Sequence, residues 1–180
     1  MCGIVGYIGD REAADFLMDG LAKLEYRGYD SAGIAVYNDG AIAVRKKAGR
    51  LVNLAEEVKA HPVVGTLGIG HTRWATHGGP SDVNAHPHTD EKGNFAIVHN
   101  GIIENYMELK EELLKKGYHF KSETDTEVVA HLCADMYDGD FTSTVRKVLA
   151  RLRGSYSLVF MCKFEPDKII CSKKDNPLIV

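Results

Sequence analysis

Met1-Cys2-Gly3-Ile4-Val5-Gly6 opens the chain and places a cysteine directly after the initiator methionine. Removal of Met1 would leave a thiol and a free α-amine on the same residue. A cysteine thiol titrates near ~8.5 and an α-amine near ~7.7–8, so the amine can accept the thiol proton at neutral pH. Such an amine is one known base for activating a nucleophile. Cys2 is therefore a candidate nucleophile, and the alternative is a small apolar residue at the start of a buried strand.

Length, charge and cysteine usage limit the class of protein. The 180 residues suit one domain with a sizeable core, and the net charge of −3 provides no basic surface for nucleic acid. The four cysteines include no CxxC pair, and the chain shows neither a secretory leader nor an apolar run long enough for a membrane span. We therefore expect a protein of the reducing cytoplasm that binds neither nucleic acid nor membranes.

Apolar periodicity predicts an α+β chain with strands towards both ends and helices between them. The predicted strands are residues 2–8, 31–38, 41–47, 67–74, 95–99, 156–162 and 168–172. The predicted helices are residues 11–26, 51–60, 106–116, 126–137 and 142–152. Asp39-Gly40 lies between two strands and is typical of a hairpin turn, so we expect antiparallel sheets covered by helices.

Residues 71–80, HTRWATHGGP, form the first of three dense polar stretches. Arg73 in this stretch could hold a small carboxylate through two parallel hydrogen bonds, which its planar fork suits better than the point charge of lysine. The alternative is a surface arginine in an ion pair, with Trp74 in the core.

Residues 98–105, VHNGIIEN, form the second stretch and place Asn100-Gly101 at the end of a predicted strand. Asn-Gly is usually a turn. A side-chain amide next to an unhindered backbone N–H also forms an oxyanion hole, so both interpretations remain open.

Residues 122–127, SETDTE, precede a predicted helix, where Thr124 and Glu127 fit a capping box. Such a cap would fix Asp125, whose carboxylate could then bind an ammonium group. Together the three stretches and Cys2 suit a small α-amino acid that carries a cleavable side-chain acyl group.

Six motifs stand in a familiar order and spacing. They are CGIVG at 2–6, LEYRGYDSAG at 24–33, HTRWATHG at 71–78, NAHPH at 84–88, VHNGIIEN at 98–105 and SETDTE at 122–127. Over its whole length the chain resembles the glutaminase domain of the glutamine–fructose-6-phosphate aminotransferase (isomerising) family, the glucosamine-6-phosphate synthases, which are class II glutamine amidotransferases. The resemblance implies the N-terminal-nucleophile hydrolase fold, a four-layer αββα sandwich of two antiparallel sheets.

The same resemblance implies a role for each motif. Cys2 would attack the side-chain amide of glutamine and form a γ-glutamyl thioester, while Asn100 and Gly101 stabilise the oxyanion. The implied substrate-binding residues are Arg73, Trp74, Thr76, His77 and Asp125, with Arg27 and His86 in support. No cofactor or metal is implied.

The family pattern continues beyond residue 180. We therefore expect residues 1–180 to be a type 2 glutamine amidotransferase domain that is incomplete at its C-terminal end and lacks the sugar isomerase domains. Alone it could at most hydrolyse L-glutamine to L-glutamate and ammonia. The full-length enzyme is expected to be a homodimer that uses the ammonia to convert fructose 6-phosphate into glucosamine 6-phosphate. If Met1 is retained, the nitrogen of Cys2 is a peptide nitrogen and cannot act as the base.

Two other classes of protein fit parts of the pattern. One is another class II amidotransferase, of the phosphoribosyl-pyrophosphate or asparagine-forming type. The other is a zinc-binding module, because imidazole and thiolate are the usual zinc ligands. Its candidate ligands are Cys2, His71, His77, His86 and His88.

Overall fold

A computed structural model describes residues 2–28, 30–75 and 78–180, without the side chain of Arg27. The strands are β1 Gly3–Ile8, β2 Ser31–Asn38, β3 Ala41–Ala48, β4 Leu67–Arg73, β5 His88–Thr89, β6 Phe95–Ile103, β7 Gly154–Cys162 and β8 Ile170–Lys174. The helices are α1 Ala13–Leu24, α2 Leu51–Ala60, α3 Tyr106–Lys115, α4 Glu127–Met136 and α5 Phe141–Arg151, and a 3₁₀ turn, Glu25–Arg27, follows α1. In these ranges no helix combines the length and apolar character needed to cross a membrane.

The strands pair in two antiparallel sheets of four strands each. The first has the order β1-β4-β2-β3 and the second β5-β6-β7-β8. In the first sheet Ile4 lies opposite His71, and in the second Asn100 lies opposite Ser157. The hairpin predicted at Asp39-Gly40 joins β2 and β3, with Asn38 paired to Ala41.

Three apolar clusters define four layers. Side chains of α1 and α2 pack on the outer face of the first sheet, and side chains of α3, α4 and α5 pack on the outer face of the second. The third cluster lies between the sheets and includes Ala35, Ile69, Val98 and Val159. The chain is therefore an αββα sandwich, as the resemblance implied.

Strand periodicity decides which side chains enter the layer between the sheets. In β4, Leu67 and Ile69 face the second sheet, whereas added side chains at Gly68 and Gly70 would meet Leu17 and Leu21 of α1. In β6, Ala96 and Val98 face the first sheet, and Phe95 and Ile97 face the helices. The next residue on the same face of β4 is His71, and the next on the same face of β6 is Asn100. Both therefore point into the layer between the sheets, towards each other.

Strand β6 is longer than the sequence predicted. We expected it to end near His99, but its pairing with β7 continues to Ile103 opposite Gly154. Gly101 keeps the strand running at φ +126°, where an added Cβ would lie 2.1 Å from the Ser155 carbonyl oxygen. Asn100-Gly101 is thus part of a strand, and the interpretation as a turn is wrong.

The capping box predicted for α4 is also wrong. Thr126 is the N-cap residue, and its side chain makes no capping hydrogen bond. Glu127 instead accepts hydrogen bonds from the backbone N–H groups of Lys121 and Ser122, and the hydroxyl of Thr124 contacts His88 Nε2 at 3.0 Å. These contacts fold the segment before α4 against the second sheet, so a polar network replaces the cap.

Gly33 of β2 is where the loop that carries His86 crosses the first sheet. A Cβ added there would lie 2.1 Å from the carbonyl oxygen of His86. On the next strand, the Lys46 ammonium holds the same loop by donating to the carbonyls of Ala85 at 2.8 Å and Val83 at 3.1 Å. The loop therefore sits directly on the backbone of β2.

We expect Gly33→Ala to lower the free energy of unfolding by about 1–3 kcal/mol, because the methyl group forces the loop away from the sheet. Urea denaturation of the purified chain measures this change. Gly79→Ala is the matched control, since a Cβ there would meet nothing within 4 Å. Equal stabilities for the two variants would contradict the close approach at Gly33.

Candidate active site

A cavity of about 610 Å³ opens at the polar end of the layer between the sheets. The predicted site residues that line it are Cys2, Arg73, Trp74, His86, Asn100, Gly101 and Asp125. Its volume lies in the usual range for small-molecule sites. Of the other predicted residues, Thr76, His77 and the side chain of Arg27 lie outside the described residues, so their positions stay predictions.

Cys2 precedes β1, and the backbone of Trp74 holds its sulfur. The Trp74 N–H donates to Sγ at 3.1 Å, and the thiol donates to the Trp74 carbonyl at 3.5 Å. Burial raises the pKa of the Cys2 thiol above its ordinary value, and the Trp74 N–H opposes this shift only in part. The sulfur is therefore a protonated thiol at neutral pH, and a reaction that uses it as a nucleophile needs a base.

Asn100 connects the two sheets beside Cys2. Its Nδ2 donates to the Cys2 carbonyl at 3.2 Å, and its Oδ1 lies 2.8 Å from His71 Nε2. The carbonyl of Asn100 accepts a hydrogen bond from Asn176 Nδ2 at 3.1 Å, which holds the peptide that carries the Gly101 N–H. Both polar groups of the Asn100-Gly101 pair are thus fixed at the edge of the cavity.

Arg73 ends β4 with its guanidinium buried, the side chain being only 4% exposed. It donates to the carbonyls of Gly78 at 3.0 Å and Gly79 at 3.4 Å, and it lies 4.0 Å from the Asp30 carboxylate. Asp30 also accepts a hydrogen bond from the backbone N–H of Ala75. A buried guanidinium at a cavity wall is well suited to a carboxylate ligand, because the fork offers parallel donors in a site with little water.

Asp125 lies in the segment before α4 and is buried. Its Oδ2 accepts the Ile103 N–H at 2.8 Å, and its Oδ1 is 3.4 Å from the Thr126 hydroxyl. That hydroxyl also contacts His86 Nε2 at 3.0 Å and His99 Nδ1 at 2.8 Å. The contacts agree when Thr126 donates to Asp125 and accepts from both imidazoles, and Asp125 itself lies at the cavity wall.

Four buried histidines, His71, His86, His88 and His99, form a packed layer beside the cavity, which His86 and His99 line. The ring centroids of His71 and His86 are 4.3 Å apart, and those of His86 and His88 are 4.6 Å apart. Burial lowers the pKa of His71 to about 4 and lowers those of His86 and His88 well below the ordinary value. These three imidazoles are therefore neutral at pH 7.

The zinc-site alternative does not match this geometry. Nitrogens of His86 and His88 contact threonine hydroxyls, and Nε2 of His71 contacts oxygens of His99 and Asn100. Across the described ranges, no three His, Cys, Asp or Glu side chains are grouped so that they could hold a metal ion. His77, one of the proposed ligands, lies outside those ranges.

Sequence reasoning assigned no role to Asp30, Thr126 or Asn176. Asp30 had a signal, because it lies within one of the six motifs, but its contact with Ala75 joins residues that are 45 positions apart. Asn176 lies in none of the six motifs, yet Asn176, Pro177 and Leu178 line the cavity. These residues could be identified only once the fold had brought distant segments together.

Comparisons with known proteins found similar sequences over the whole chain. Residues 71–175 match the family profile described as glutamine amidotransferase domain. The chain is 57% identical to glutamine–fructose-6-phosphate aminotransferase [isomerizing] of Clostridium tetani and 58% identical to that of Caldanaerobacter subterraneus, over 180 residues each. The protein of the same name from Pyrococcus horikoshii is 53% identical over 182 residues. These matches cover 100% of this chain and 30% of each relative.

Solved structures share the fold. The glutamine phosphoribosylpyrophosphate amidotransferase from B. subtilis, solved with ADP and GMP, is 29% identical with a TM-score of 0.77 and matches 91% of this chain and 35% of its own. A structure described as the allosteric regulatory enzyme of purine biosynthesis is 30% identical with a TM-score of 0.79, over 91% of this chain and 36% of its own. The likeness confirms the predicted α+β sandwich.

The neutral histidine layer predicts a pH-dependent stability. In the unfolded chain His71, His86 and His88 bind protons below about pH 6.5, whereas burial keeps them neutral in the folded chain, His71 to about pH 4. The unfolded state therefore binds more protons in this window. The free energy of unfolding should fall as the pH drops from 6.5 towards 4, by up to about 1.4 kcal/mol per pH unit for each histidine.

Urea denaturation at pH 7.5, 6.0 and 5.0 measures that slope. His88→Gln removes one of the three groups and should make the slope about a third shallower. A stability that stays constant between pH 6.5 and 5 would contradict the burial of neutral imidazoles.

Proposed function

The chain belongs to the glutamine amidotransferase domain family, and from that membership we propose that it hydrolyses the side-chain amide of L-glutamine to L-glutamate and ammonia. The observation that carries the proposal is the contact between Asn100 Nδ2 and the Cys2 carbonyl at 3.2 Å. This contact places the Cys2 thiol close to the amide donor of Asn100. The same cavity is lined by the guanidinium of Arg73 and the carboxylate of Asp125. One α-amino acid with a side-chain amide can engage all four groups.

The proposed reaction begins when Met1 is removed and the Cys2 amine becomes free. The amine takes the thiol proton as sulfur bonds to the amide carbon, and the carbonyl electrons move to oxygen. Asn100 Nδ2 and the Gly101 N–H stabilise that oxyanion, each worth about 2.7–4 kcal/mol in such sites. The ammonium then returns its proton to the leaving nitrogen, and ammonia departs from a γ-glutamyl thioester. Water attacks the thioester, which releases glutamate and restores the thiol.

Substrate binding is proposed to use the two ends of the cavity wall. Arg73 would exchange its carbonyl partners Gly78 and Gly79 for the α-carboxylate of glutamine, which is the stronger acceptor. Asp125 would bind the α-ammonium. Thr76 and the backbone near His77 are proposed to help Arg73 hold the α-carboxylate. Trp74 is proposed to lie in a loop that closes over the bound glutamine, with Arg27 and His86 in support.

The use of the ammonia is proposed from the relatives. The chain spans about 30% of the length of the aminotransferases it matches, so we propose that it corresponds to their glutaminase domain. The rest of such an enzyme would convert fructose 6-phosphate into glucosamine 6-phosphate and form a homodimer. A cytoplasmic location is part of the proposal, and the free thiols of Cys2, Cys133, Cys162 and Cys171 suit a reducing compartment.

A phosphoribosylpyrophosphate amidotransferase is the second candidate, since the solved structure of that type from B. subtilis shares the fold. Sequence identity distinguishes the two candidate functions. It is 53–58% to the aminotransferases quoted above and 29–30% to the two solved structures. The difference supports the amino-sugar branch.

The proposal is tested with chain whose N-terminal residue is Cys2, verified by intact mass. A diazo-ketone analogue of glutamine should add once, at Cys2, and glutamine should block the addition. Cys2→Ala should form no adduct and lose hydrolysis by at least about 10³-fold, because the nucleophile is gone, while calorimetry still detects glutamine binding.

Chain that retains Met1 is the matched control, because it keeps the thiol but lacks the basic amine. It should hydrolyse glutamine about 10²–10⁴ times more slowly, which is the usual value of a general base. Hydrolysis by Cys2→Ala at the wild-type rate would refute the nucleophile. Absence of both adduct and hydrolysis in chain that begins with Cys2 would refute the proposed function.

Arg73→Lys should raise KM for glutamine about 10-fold to 100-fold with little change in kcat, since the lost parallel hydrogen bond acts on binding. Steady-state kinetics with glutamine and with its α-carboxamide analogue measure this. The wild type should prefer glutamine, and the variant should lose most of that preference. A variant that retains the preference would show that Arg73 does not bind the carboxylate.

A further inference from the structure

We propose that His71 is a positioning residue for the oxyanion hole, whose Nε2–H orients the Asn100 carboxamide so that Nδ2 faces Cys2. The inference rests on the proposed glutaminase function and goes beyond it, because none of the roles above uses His71. Its basis is a hydrogen-bonded chain that runs from β4 of the first sheet to β6 of the second.

The contacts of His71 identify its tautomer. Nε2 lies 3.0 Å from the carbonyl oxygen of His99 and 2.8 Å from Asn100 Oδ1, and a carbonyl oxygen can only accept. Nε2 therefore carries the hydrogen and shares it between two oxygens. Nδ1 is buried and has no hydrogen-bond partner among the described residues, which suits a bare lone pair and would leave a proton there unsatisfied.

The environment keeps His71 in this neutral form. The ring is fully buried, and its centroid is 4.3 Å from that of His86. Burial lowers the pKa of His71 to about 4 against the smaller opposing effect of the Asn100 hydrogen bond. One N–H, held in one place, is therefore available to Asn100 throughout the neutral range.

That N–H decides between two orientations of the amide. In the observed one, Oδ1 accepts from His71 and Nδ2 donates to the Cys2 carbonyl. Rotation by 180° would set the Asn100 NH₂ against the His71 N–H and Oδ1 against the Cys2 carbonyl, so that donor meets donor and acceptor meets acceptor. His71 thus holds Asn100 Nδ2 towards Cys2 before the substrate binds. An oxyanion hole requires such preorganised donors.

His71 acts through Asn100 and does not touch the substrate itself. Its side chain is fully buried, and it is not among the described residues that line the cavity. The role therefore predicts an effect on the chemical step and little effect on substrate binding, unlike the role of Arg73.

The test compares His71→Gln with His71→Met in chain that begins with Cys2. The side-chain amide nitrogen of glutamine can take the place of Nε2, whereas methionine has the same length and no donor. We expect His71→Met to lower kcat about 10-fold to 100-fold with KM changed less than about threefold, because removal of one oxyanion donor costs up to about 10²–10³. His71→Gln should stay within about fivefold of wild type.

A double-mutant cycle separates positioning from general structural damage. In an Asn100→Ala background, His71→Met should cause no further loss of kcat, since the group that His71 orients is already absent. A further loss equal to that in the wild-type background would overturn the proposal. An equal loss in His71→Gln and His71→Met would overturn it as well.

Nitrogen-15 NMR of the histidine rings and the Asn100 side chain gives a readout that does not need activity. The proposal expects His71 protonated at Nε2 and an Asn100 NH₂ signal that shifts in His71→Met and is restored in His71→Gln. A proton on Nδ1 would overturn it. Wild-type chain without glutaminase activity would overturn the proposed function, whereas an active wild type with an unaffected His71→Met would overturn the role of His71 alone.

Discussion

The face-to-face contact of the two sheets is the constraint on which the structure depends. Sheets packed about 10 Å apart leave room for one interdigitated layer of side chains, and each strand supplies every second residue to it. Over most of its area this layer is apolar, with Ile69 opposite residues such as Val98. At one end the same rows continue as His71 and Asn100, so the site exists only where both sheets are correctly paired.

Burial of polar groups at that end lowers the stability of the fold, because each buried donor or acceptor without a hydrogen-bond partner costs about 1–3 kcal/mol. The Thr126 hydroxyl contacts Asp125 and the imidazoles of His86 and His99. The Glu127 carboxylate accepts hydrogen bonds from the backbone N–H groups of Ser122 and Lys121. Neutral imidazoles fill the remaining volume without the larger cost of buried charge. The hydrogen bonds of this network hold the cavity side chains in fixed positions. The cavity is therefore preorganised, at a cost in the stability of the fold.

The sequence predicted the parts of this structure that local periodicity controls. The strand 31–38, the hairpin after it and the helix 51–60 were placed correctly. Periodicity failed at Asn100-Gly101, because pairing with β7 and the bond from the Ile103 N–H to Asp125 outweigh the turn preference of Asn-Gly. The resemblance supplied the layer order and several of the residues that line the cavity, Cys2, Arg73, Asn100 and Asp125 among them. Neither source indicated the contact between His71 and Asn100, which lie 29 residues apart and face each other only because two strands in different sheets present their inner rows.

The state of the Cys2 sulfur explains why this fold suits an N-terminal amine as base. The Trp74 N–H and the positive charge of Arg73 favour a thiolate, while burial and the Asp30 carboxylate oppose it, and burial is the largest effect. A resting thiolate would need no base, but a buried thiol must lose its proton during the attack. Among the described residues, the hydrogen bonds to the Cys2 sulfur are made by the backbone of Trp74, which cannot accept the proton as a base. On the proposed mechanism, removal of Met1 frees an α-amine on Cys2, and this amine takes the proton that the buried thiol must lose.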